Sequence, residues 1–137
     1  QLTLSQDIAA TLLSLGNVAR AQKDSSAALT FYQQAASSNA SILIRTQAQL
    51  NQLSLLLDIG KQAEAQSFVP AIQTLLDNLP PSRSSVYARI NLAQSLKKLG
   101  QNTRAAQILA TAVESAKSLS DRRAQSYTLG YLGRIYE

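Results

Sequence analysis

Apolar residues recur at spacings of three and four along most of this chain, which is the pattern of amphipathic helices. Near the N-terminus the pattern runs through Leu12, Leu15 and Ala19, and it resumes with Ala28 and Tyr32. Short polar segments interrupt it at regular intervals. The alternation of periodic and polar segments therefore predicts a succession of helices joined by short turns.

The predicted turns contain polar residues, glycine or proline and lie at residues 22–26, 58–62, 78–84, 98–102 and 118–123. "NLPPSRS", at 78–84, is the strongest break, because two prolines precede serines that suit a helix N-cap. At the first turn, Asp24 or Ser25 suits the cap of the second helix. Seven helices are predicted, over residues 6–22, 25–38, 41–59, 62–78, 83–99, 102–118 and 121–137. Pro70 lies inside the fourth and should kink it.

Two of the turns belong to a repeated segment. "LLDIGKQAEAQ" (55–65) and "SLKKLGQNTRAAQ" (95–107) both contain a glycine followed by two polar residues, with an alanine five positions after the glycine. In the first unit Lys23 takes the place of this glycine. Registering the three turns aligns Gly16, Leu53, Ala93 and Gly133, at offsets of 37, 40 and 40 residues. A period of this size predicts a solenoid of helical hairpins.

Small residues stand where two helices of a hairpin should cross. Gly16 in the first helix and Ala28 and Ala35 in the second would let the two backbones approach closely, with larger residues filling the gaps around them. The second unit has Leu53 and Ile72 at the equivalent places, so we expect its hairpin to be more open.

These residues carry a resemblance to a known family. Leu15-Gly16-Asn17, followed by Ala28, Tyr32 and Ala35, resembles a tetratricopeptide repeat, and "YLGRIY" at 131–136 resembles the first helix of a further unit. The first unit carries the resemblance best. Units near 40 residues exceed the usual 34 of this family, so HEAT-like repeats remain the alternative. The "LPPSR…YARINLAQSLKKLGQ" stretch is also similar to repeat regions of large bacterial proteins that end in a CHAT domain.

The resemblance implies an all-α, right-handed superhelical solenoid of antiparallel hairpins. It would form a single domain over residues 1–137, with repeats at 6–38, 41–78 and 83–118 and a partial fourth repeat at 121–137. We expect the chain to be a fragment of a longer protein, since it contains no methionine.

Composition excludes several kinds of chemistry. The chain has 137 residues, 45% of them apolar, which suits a folded core, and it has no cysteine and no histidine. A thiolate or imidazole site is therefore impossible, and no catalytic or cofactor motif stands in their place. We predict no enzyme activity, no cofactor and no metal. No apolar run is long enough to span a membrane. The compartment stays open, with the cytoplasm as the default, because targeting signals could lie outside this sequence.

Charge is distributed unevenly. Residues 1–79 carry four basic and five acidic side chains, whereas residues 80–137 carry nine basic and three acidic ones, a net of +6. The basic residues are spread over several helices without a run, so a protein or peptide partner is expected rather than nucleic acid.

The resemblance also implies a concave groove lined by the first helix of each hairpin. Beside Leu13, Ser14 and Leu57, the expected facing residues are Asn17, Arg20, Gln47, Leu50, Asn51, Ser54, Tyr87, Ile90, Asn91, Gln94, Lys97, Tyr127, Tyr131 and Arg134. The asparagines would hold a peptide backbone, because an amide both donates and accepts hydrogen bonds. Asn51 and Asn91 should engage one peptide together, about 8–10 Å apart. Leu50, Leu57 and Ile90 would take apolar side chains, while Arg20, Lys97 and Arg134 would attract acidic ones.

Two functions fit this description. The first is a non-catalytic scaffold that binds an extended peptide or partner segment in the groove. The alternative is a structural spacer between domains of a longer multidomain protein. In either case the apolar face of the last helix, with Leu129, Leu132, Ile135 and Tyr136, should favour weak self-association.

Overall fold

The computed structural model describes the backbone of residues 2–135 and the side chains of residues 4–135. Within them the chain forms seven α-helices: α1 (Leu2–Ala21), α2 (Ser25–Ala36), α3 (Ile42–Asp58), α4 (Gln62–Asp77), α5 (Arg83–Lys98), α6 (Asn102–Ser118) and α7 (Arg122–Ile135). From α1 to α4, and again from α5 to α7, consecutive helices pack as sequential hairpins, as the periodicity predicted. The all-α fold class is confirmed, and helix α1 begins at Leu2 rather than at residue 6.

The chain divides into two compact units, Gln1–Asn78 and Leu79–Glu137. Unit 1 contains helices α1 to α4, and unit 2 contains helices α5 to α7. The division falls in the "NLPPSRS" segment that the sequence marks as its strongest break. The expectation of a single domain stays a prediction.

Left-handed residues end four of the helices in the same way. Lys23, Gly60, Gly100 and Ser120 have φ values of +62°, +81°, +79° and +54°. The residue after each of them donates its backbone N–H to a carbonyl five positions back, for example Lys61 to Leu56 at 2.8 Å. Such bonds satisfy carbonyls that the end of a helix leaves unpaired. The prediction that Lys23 takes the place of a glycine is therefore confirmed.

Side-chain caps begin several of the helices. Asp24, one of the two residues expected at its turn, accepts a hydrogen bond from the backbone N–H of Ala27 at 3.1 Å. At the start of α5, Ser82 and Ser85 form a reciprocal capping box, with both bonds at 3.0 Å. The serines that follow the two prolines thus cap this helix as predicted.

Gly16 has a steric role in the first hairpin. A Cβ atom placed there would lie 2.6 Å from Cδ1 of Tyr32 and still closer to Cε1 of the same ring. Tyr32 is fully buried and belongs to a core cluster with Ala19, Ala28 and Leu55. The expected close approach is therefore refined: the missing side chain of Gly16 makes room for an aromatic ring lying between the two helices.

Helix α4 runs through Pro70 without ending. Pro70 itself is exposed, and its carbonyl accepts a hydrogen bond from the Thr74 hydroxyl at 3.1 Å. The expected kink at this residue, and the more open second hairpin, stay predictions.

Candidate functional site

In unit 1 the expected site residues Arg20 and Ser54 meet where α1 lies beside α3. The guanidinium of Arg20 donates to the hydroxyl of Ser54 at 2.9 Å and to the carboxylate of Asp58, with which it forms an ion pair. Asp58 was not among the expected residues. Because this carboxylate pairs with Arg20 within unit 1, Arg20 is less suited to attract an acidic ligand than the sequence suggested.

Asn17 is also held within unit 1. Its Oδ1 accepts a hydrogen bond of 2.6 Å from the hydroxyl of Tyr32, the ring that occupies the space at Gly16. Burial raises the pKa of the Tyr32 hydroxyl above its usual value, while the nearby Arg20 opposes this shift. The hydroxyl therefore stays protonated and donates to Asn17.

The remaining expected residues of unit 1 lie at different depths. Gln47 and Ser14 are exposed, and Asn51, Leu13 and Leu57 are half-buried. Leu50 is only 1% exposed. It belongs to the core and offers no surface to a ligand, so we remove Leu50 from the candidate site.

In unit 2 three of the expected aromatic residues form one continuous contact. The rings of Tyr87 on α5 and Tyr127 on α7 meet edge to face with centroids 5.4 Å apart, and Tyr127 meets Tyr131 in the same way at 5.0 Å. The hydroxyls of Tyr127 and Tyr131 are 3.2 Å apart, and this hydrogen bond raises the pKa of Tyr127 above its usual value. Both ring contacts have the edge-to-face geometry that aromatic pairs prefer.

Two expected cations stand beside these rings. The Cζ atom of Arg134 lies 4.9 Å from the centroid of the Tyr131 ring, within the range of a cation–π interaction. The Nζ atom of Lys97 donates to the backbone carbonyl of Arg134 at 3.3 Å. Within the part of the chain that the structure describes, neither cation forms an ion pair. Their positive charges therefore remain available to a ligand.

An open cavity of about 320 Å³ lies between these residues. Its wall is formed by Ala93, Gln94, Lys97, Lys98, Leu109, Tyr131 and Arg134. Four of these are expected site residues. The floor of the cavity is formed by Ala93 and Leu109, which are apolar and almost fully buried. We use the name aromatic–basic face for the expected residues grouped here: Tyr87, Gln94, Lys97, Tyr127, Tyr131 and Arg134.

One ion pair fixes α5 against α7 at another point. Arg83 Nε donates to Asp121 Oδ2 at 2.6 Å, and Asp121 Oδ1 caps α7 by accepting from the N–H of Ala124 at 3.0 Å. The hydrogen bond from Arg83, followed by the one from Ala124, holds the pKa of the Asp121 carboxyl below its usual range. This pair links α5 to the N-terminal end of α7, and α7 carries half of the aromatic–basic face.

Two further expected residues of unit 2 lie outside this face. Ile90 is 2% exposed and belongs to the core, so we remove it from the site for the same reason as Leu50. Asn91 is half-buried. Among the described residues, the carboxamides of Asn51 and Asn91 form no intramolecular hydrogen bond. The prediction that both engage one peptide concerns residues of different units and stays a prediction.

Sequence reasoning missed Asp58, Lys98 and the cavity wall at Leu109. A signal for the aromatic contact was present, since Tyr87 and Tyr127 lie 40 positions apart, the offset that registers neighbouring units. Of the face expected to self-associate, Leu129 is 51% exposed and Leu132 and Ile135 are half-buried, while Tyr136 lies outside the described residues.

No helix in residues 2–135 is long and apolar enough to cross a membrane. A search of the same residues for groups of acidic side chains able to hold a metal ion also finds none.

Comparison with known proteins gives one family. A family model described as tetratricopeptide repeat matches residues 86–118, which are the α5–α6 hairpin of unit 2. The match covers the third predicted unit, whereas the sequence resemblance rests mainly on the first. No curated protein matches the chain. The tetratricopeptide resemblance is thus supported for one hairpin, and the association with CHAT-domain proteins stays a prediction.

Proposed function

We propose that this chain is a protein-interaction scaffold in which the aromatic–basic face of unit 2 binds an extended, acidic or neutral segment of a partner protein. Tetratricopeptide repeats generally mediate protein–protein interactions, and one such repeat matches α5–α6. The observation that carries the proposal is the placement of Arg134 over the Tyr131 ring beside Lys97, around a cavity with an apolar floor.

The composition of this face suits a peptide. Tyrosine offers a large, rigid surface that is apolar on the ring and polar at the hydroxyl, which is why it is common at protein interfaces. Tyr127 remains 47% exposed even after its contacts with two other rings. The apolar floor at Ala93 and Leu109 would accept one aliphatic side chain, and Gln94 at the rim would bond to a peptide group. Lys97 and Arg134 would pair with an acidic side chain next to it.

The experiment measures the affinity of the chain for acidic peptides selected from a peptide array. Removing both charges in Lys97→Gln with Arg134→Gln should weaken binding about tenfold, which corresponds to roughly 1.4 kcal/mol. The matched control is Lys117→Gln with Arg122→Gln, which removes the same number of charges from two exposed cations of the same unit, on α6 and at the start of α7. It should bind like the unsubstituted chain. Equal losses in the double variant and the control would indicate general charge attraction and refute the assignment to this face.

The rings provide a second measurement at the same face. Tyr127→Ala should weaken peptide binding, because it removes the central ring of the three. It should also reduce salt dependence less than the charge variants do, since it leaves both cations in place. Full binding by both Tyr127→Ala and the charge double variant would exclude the face altogether.

For unit 1 we propose the structural role that the sequence allowed as the alternative. The specific observation in its favour is the bond from Arg20 to Ser54 and Asp58, which occupies the polar groups expected to meet a ligand. Peptide binding that is lost in unit 1 variants such as Asn51→Ala, but kept in the unit 2 variants, would reverse these two assignments.

A further inference from the structure

Helix α1 exposes a stripe of large apolar side chains that nothing in unit 1 covers. Leu4, Ile8, Leu15 and Val18 are 62%, 52%, 43% and 54% exposed. Elsewhere such residues are fewer on each element: Ile59 and Leu119 lie singly, and α7 carries two, Tyr127 and Leu129. Four on one helix form a patch of the kind that marks an interaction surface.

The spacing of this stripe is regular. With Thr11 included, its members are separated by four, three, four and three residues, which is the heptad spacing of a helix–helix seam. The buried residues of α1, Ala9, Gly16 and Ala19, lie to one side of the stripe and pack within unit 1. The stripe is therefore available to a helix from outside this unit.

We propose that the stripe is the contact between two copies of this chain, with the two α1 helices packed antiparallel about Thr11. In this arrangement the pattern is complementary to itself. Leu4 lies opposite Val18 of the second copy, and Ile8 lies opposite its Leu15, because each pair is centred on position 11 to within one residue. A two-fold interface requires this kind of self-complementarity.

Thr11 suits a buried position at the centre of the contact. Its hydroxyl already donates to the carbonyl of Asp7 within α1 at 2.8 Å. Burying it between two helices would leave no donor without a partner, which is the condition for placing a polar side chain in an interface. The residue in the middle of the seam is thus polar without a penalty for an unpaired group.

Charge favours the antiparallel direction. Asp7 is the only charged side chain of residues 1–19 and lies beside the stripe. In the antiparallel arrangement the two copies of Asp7 lie four residues to either side of Thr11, about 12 Å apart along the axis. That exceeds the screening length of roughly 8–10 Å in physiological salt. A parallel arrangement would bring the two carboxylates to the same level.

The first experiment uses disulfide capture, which is clean because the chain has no cysteine. Thr11→Cys should form a covalent dimer under mild oxidation, since the two sulfurs meet at the two-fold axis. Leu4→Cys should not link to itself, because two such residues are about 21 Å apart along the axis, whereas a disulfide needs Cα atoms within roughly 7 Å. A mixture of Leu4→Cys and Val18→Cys should give the mixed dimer.

Ala10→Cys is the matched control, because Ala10 is exposed on the same helix but lies off the stripe. It should form no covalent dimer under the same conditions. Self-linking of Leu4→Cys would show a parallel contact, and equal linking of Ala10→Cys and Thr11→Cys would show random collision. Either result would overturn the proposal.

The second experiment is sedimentation equilibrium of the otherwise unsubstituted chain. We expect a concentration-dependent dimer, and Ile8→Glu should raise its dissociation constant at least about a hundredfold, because the dimer would bury two unpaired carboxylates. Leu129→Glu on α7 is the contrasting variant and should leave the dimer intact. A monomer at millimolar concentration, or a dimer broken only by Leu129→Glu, would refute the proposal. The latter would instead support the expected self-association through α7.

Discussion

Unit 1 contains the helix pair α1 and α3, and unit 2 contains the helix pair α5 and α7. The two pairs are of the same kind, because in each of them one further helix separates the two members in sequence. Both pairs are joined by an ion pair between an arginine and an aspartate 38 positions apart, Arg20 with Asp58 and Arg83 with Asp121. The two helix pairs differ in their other side-chain contacts. Unit 2 adds three tyrosines in contact and two cations that have no acidic partner among the described residues, whereas unit 1 adds bonds that satisfy its own polar groups.

The difference shows why a helical-repeat scaffold does not by itself determine binding. The same arrangement of helices is closed by its own side chains in one unit and leaves charge and aromatic surface exposed in the other. Function is therefore argued from the residues on the face and not from the fold. Substitutions at equivalent places in the two units test this comparison directly.

The largest expected effect comes from two registered glycines. Gly16→Ala would place a methyl group against the buried ring of Tyr32, which the bond to Asn17 helps to hold. We expect it to lower the free energy of unfolding by about 1–3 kcal/mol. Gly133→Ala in unit 2 meets nothing within 4 Å and should raise stability by up to about 1 kcal/mol through helix propensity.

Chemical denaturation of both variants measures the difference. Similar stabilities for Gly16→Ala and Gly133→Ala would mean that the Tyr32 ring can move aside, and that the first hairpin is not fixed by this contact.

The next effect concerns the second helix of the same hairpin. Ala28 is fully buried and Ala27, its neighbour, is partly exposed. Ala28→Leu should overpack the core and lower stability by about 1–3 kcal/mol, while Ala27→Leu should cost less. Thermal melting of the two variants provides the test, and equal melting temperatures would show that the repeat register is misplaced.

The helices were predictable because their signals are local. Gly60 and Gly100 end helices through a left-handed conformation that glycine adopts readily, and the apolar periodicity fills the segments between them. The repeat register also predicted which residues of neighbouring repeats are equivalent. Tyr87 and Tyr127 are equivalent in this register, and they are in contact.

The chemistry of the two faces was less predictable. Leu50 and Ile90 were assigned to the groove together with their neighbours Asn51 and Asn91, yet adjacent residues on a helix point about 100° apart. A repeat register that is accurate only to within one residue cannot tell which of two adjacent residues faces the groove and which faces the core. Nor does a sequence reveal whether a long side chain such as that of Arg20 turns to Asp58 or to solvent, because that depends on the neighbouring helix.

A smaller effect distinguishes the two arginines of the candidate faces. Arg20→Gln should lower stability by roughly 0.2–1 kcal/mol, the range of partly exposed ion pairs, and leave peptide binding unchanged. Arg134→Gln should weaken peptide binding and leave stability almost unchanged, since Arg134 has no acidic partner among the described residues. Melting temperature and peptide affinity should be measured for both variants. The comparison between the two units fails if both variants change the same property.

The pH dependence of unit 2 follows from Asp121. Its pKa is lower in the folded chain than in the unfolded one, so the ionised carboxylate stabilises the fold. This contribution is complete above the ordinary pKa of about 4 and is lost as the pH falls below it toward the folded value. Asp121→Asn should lose less stability than the unsubstituted chain when melting temperatures at pH 6 and pH 3 are compared. An equal loss would mean that the pair with Arg83 contributes nothing.

The smallest expected effect lies at the two helix ends that use a non-glycine residue, one in each unit. Lys23 and Ser120 have positive φ values, which strain a side chain, whereas Gly60 and Gly100 avoid that strain at equivalent ends. Lys23→Gly and Ser120→Gly should each raise stability, but only by roughly a few tenths of a kcal/mol, because glycine also gains freedom in the unfolded chain. Gly100→Ala is the reverse control and should lower stability by about 1 kcal/mol, although open space surrounds it. Denaturation midpoints decide between these outcomes. A loss of stability in Lys23→Gly alone would mean that the lysine side chain stabilises unit 1 in a way that its unit 2 counterpart does not.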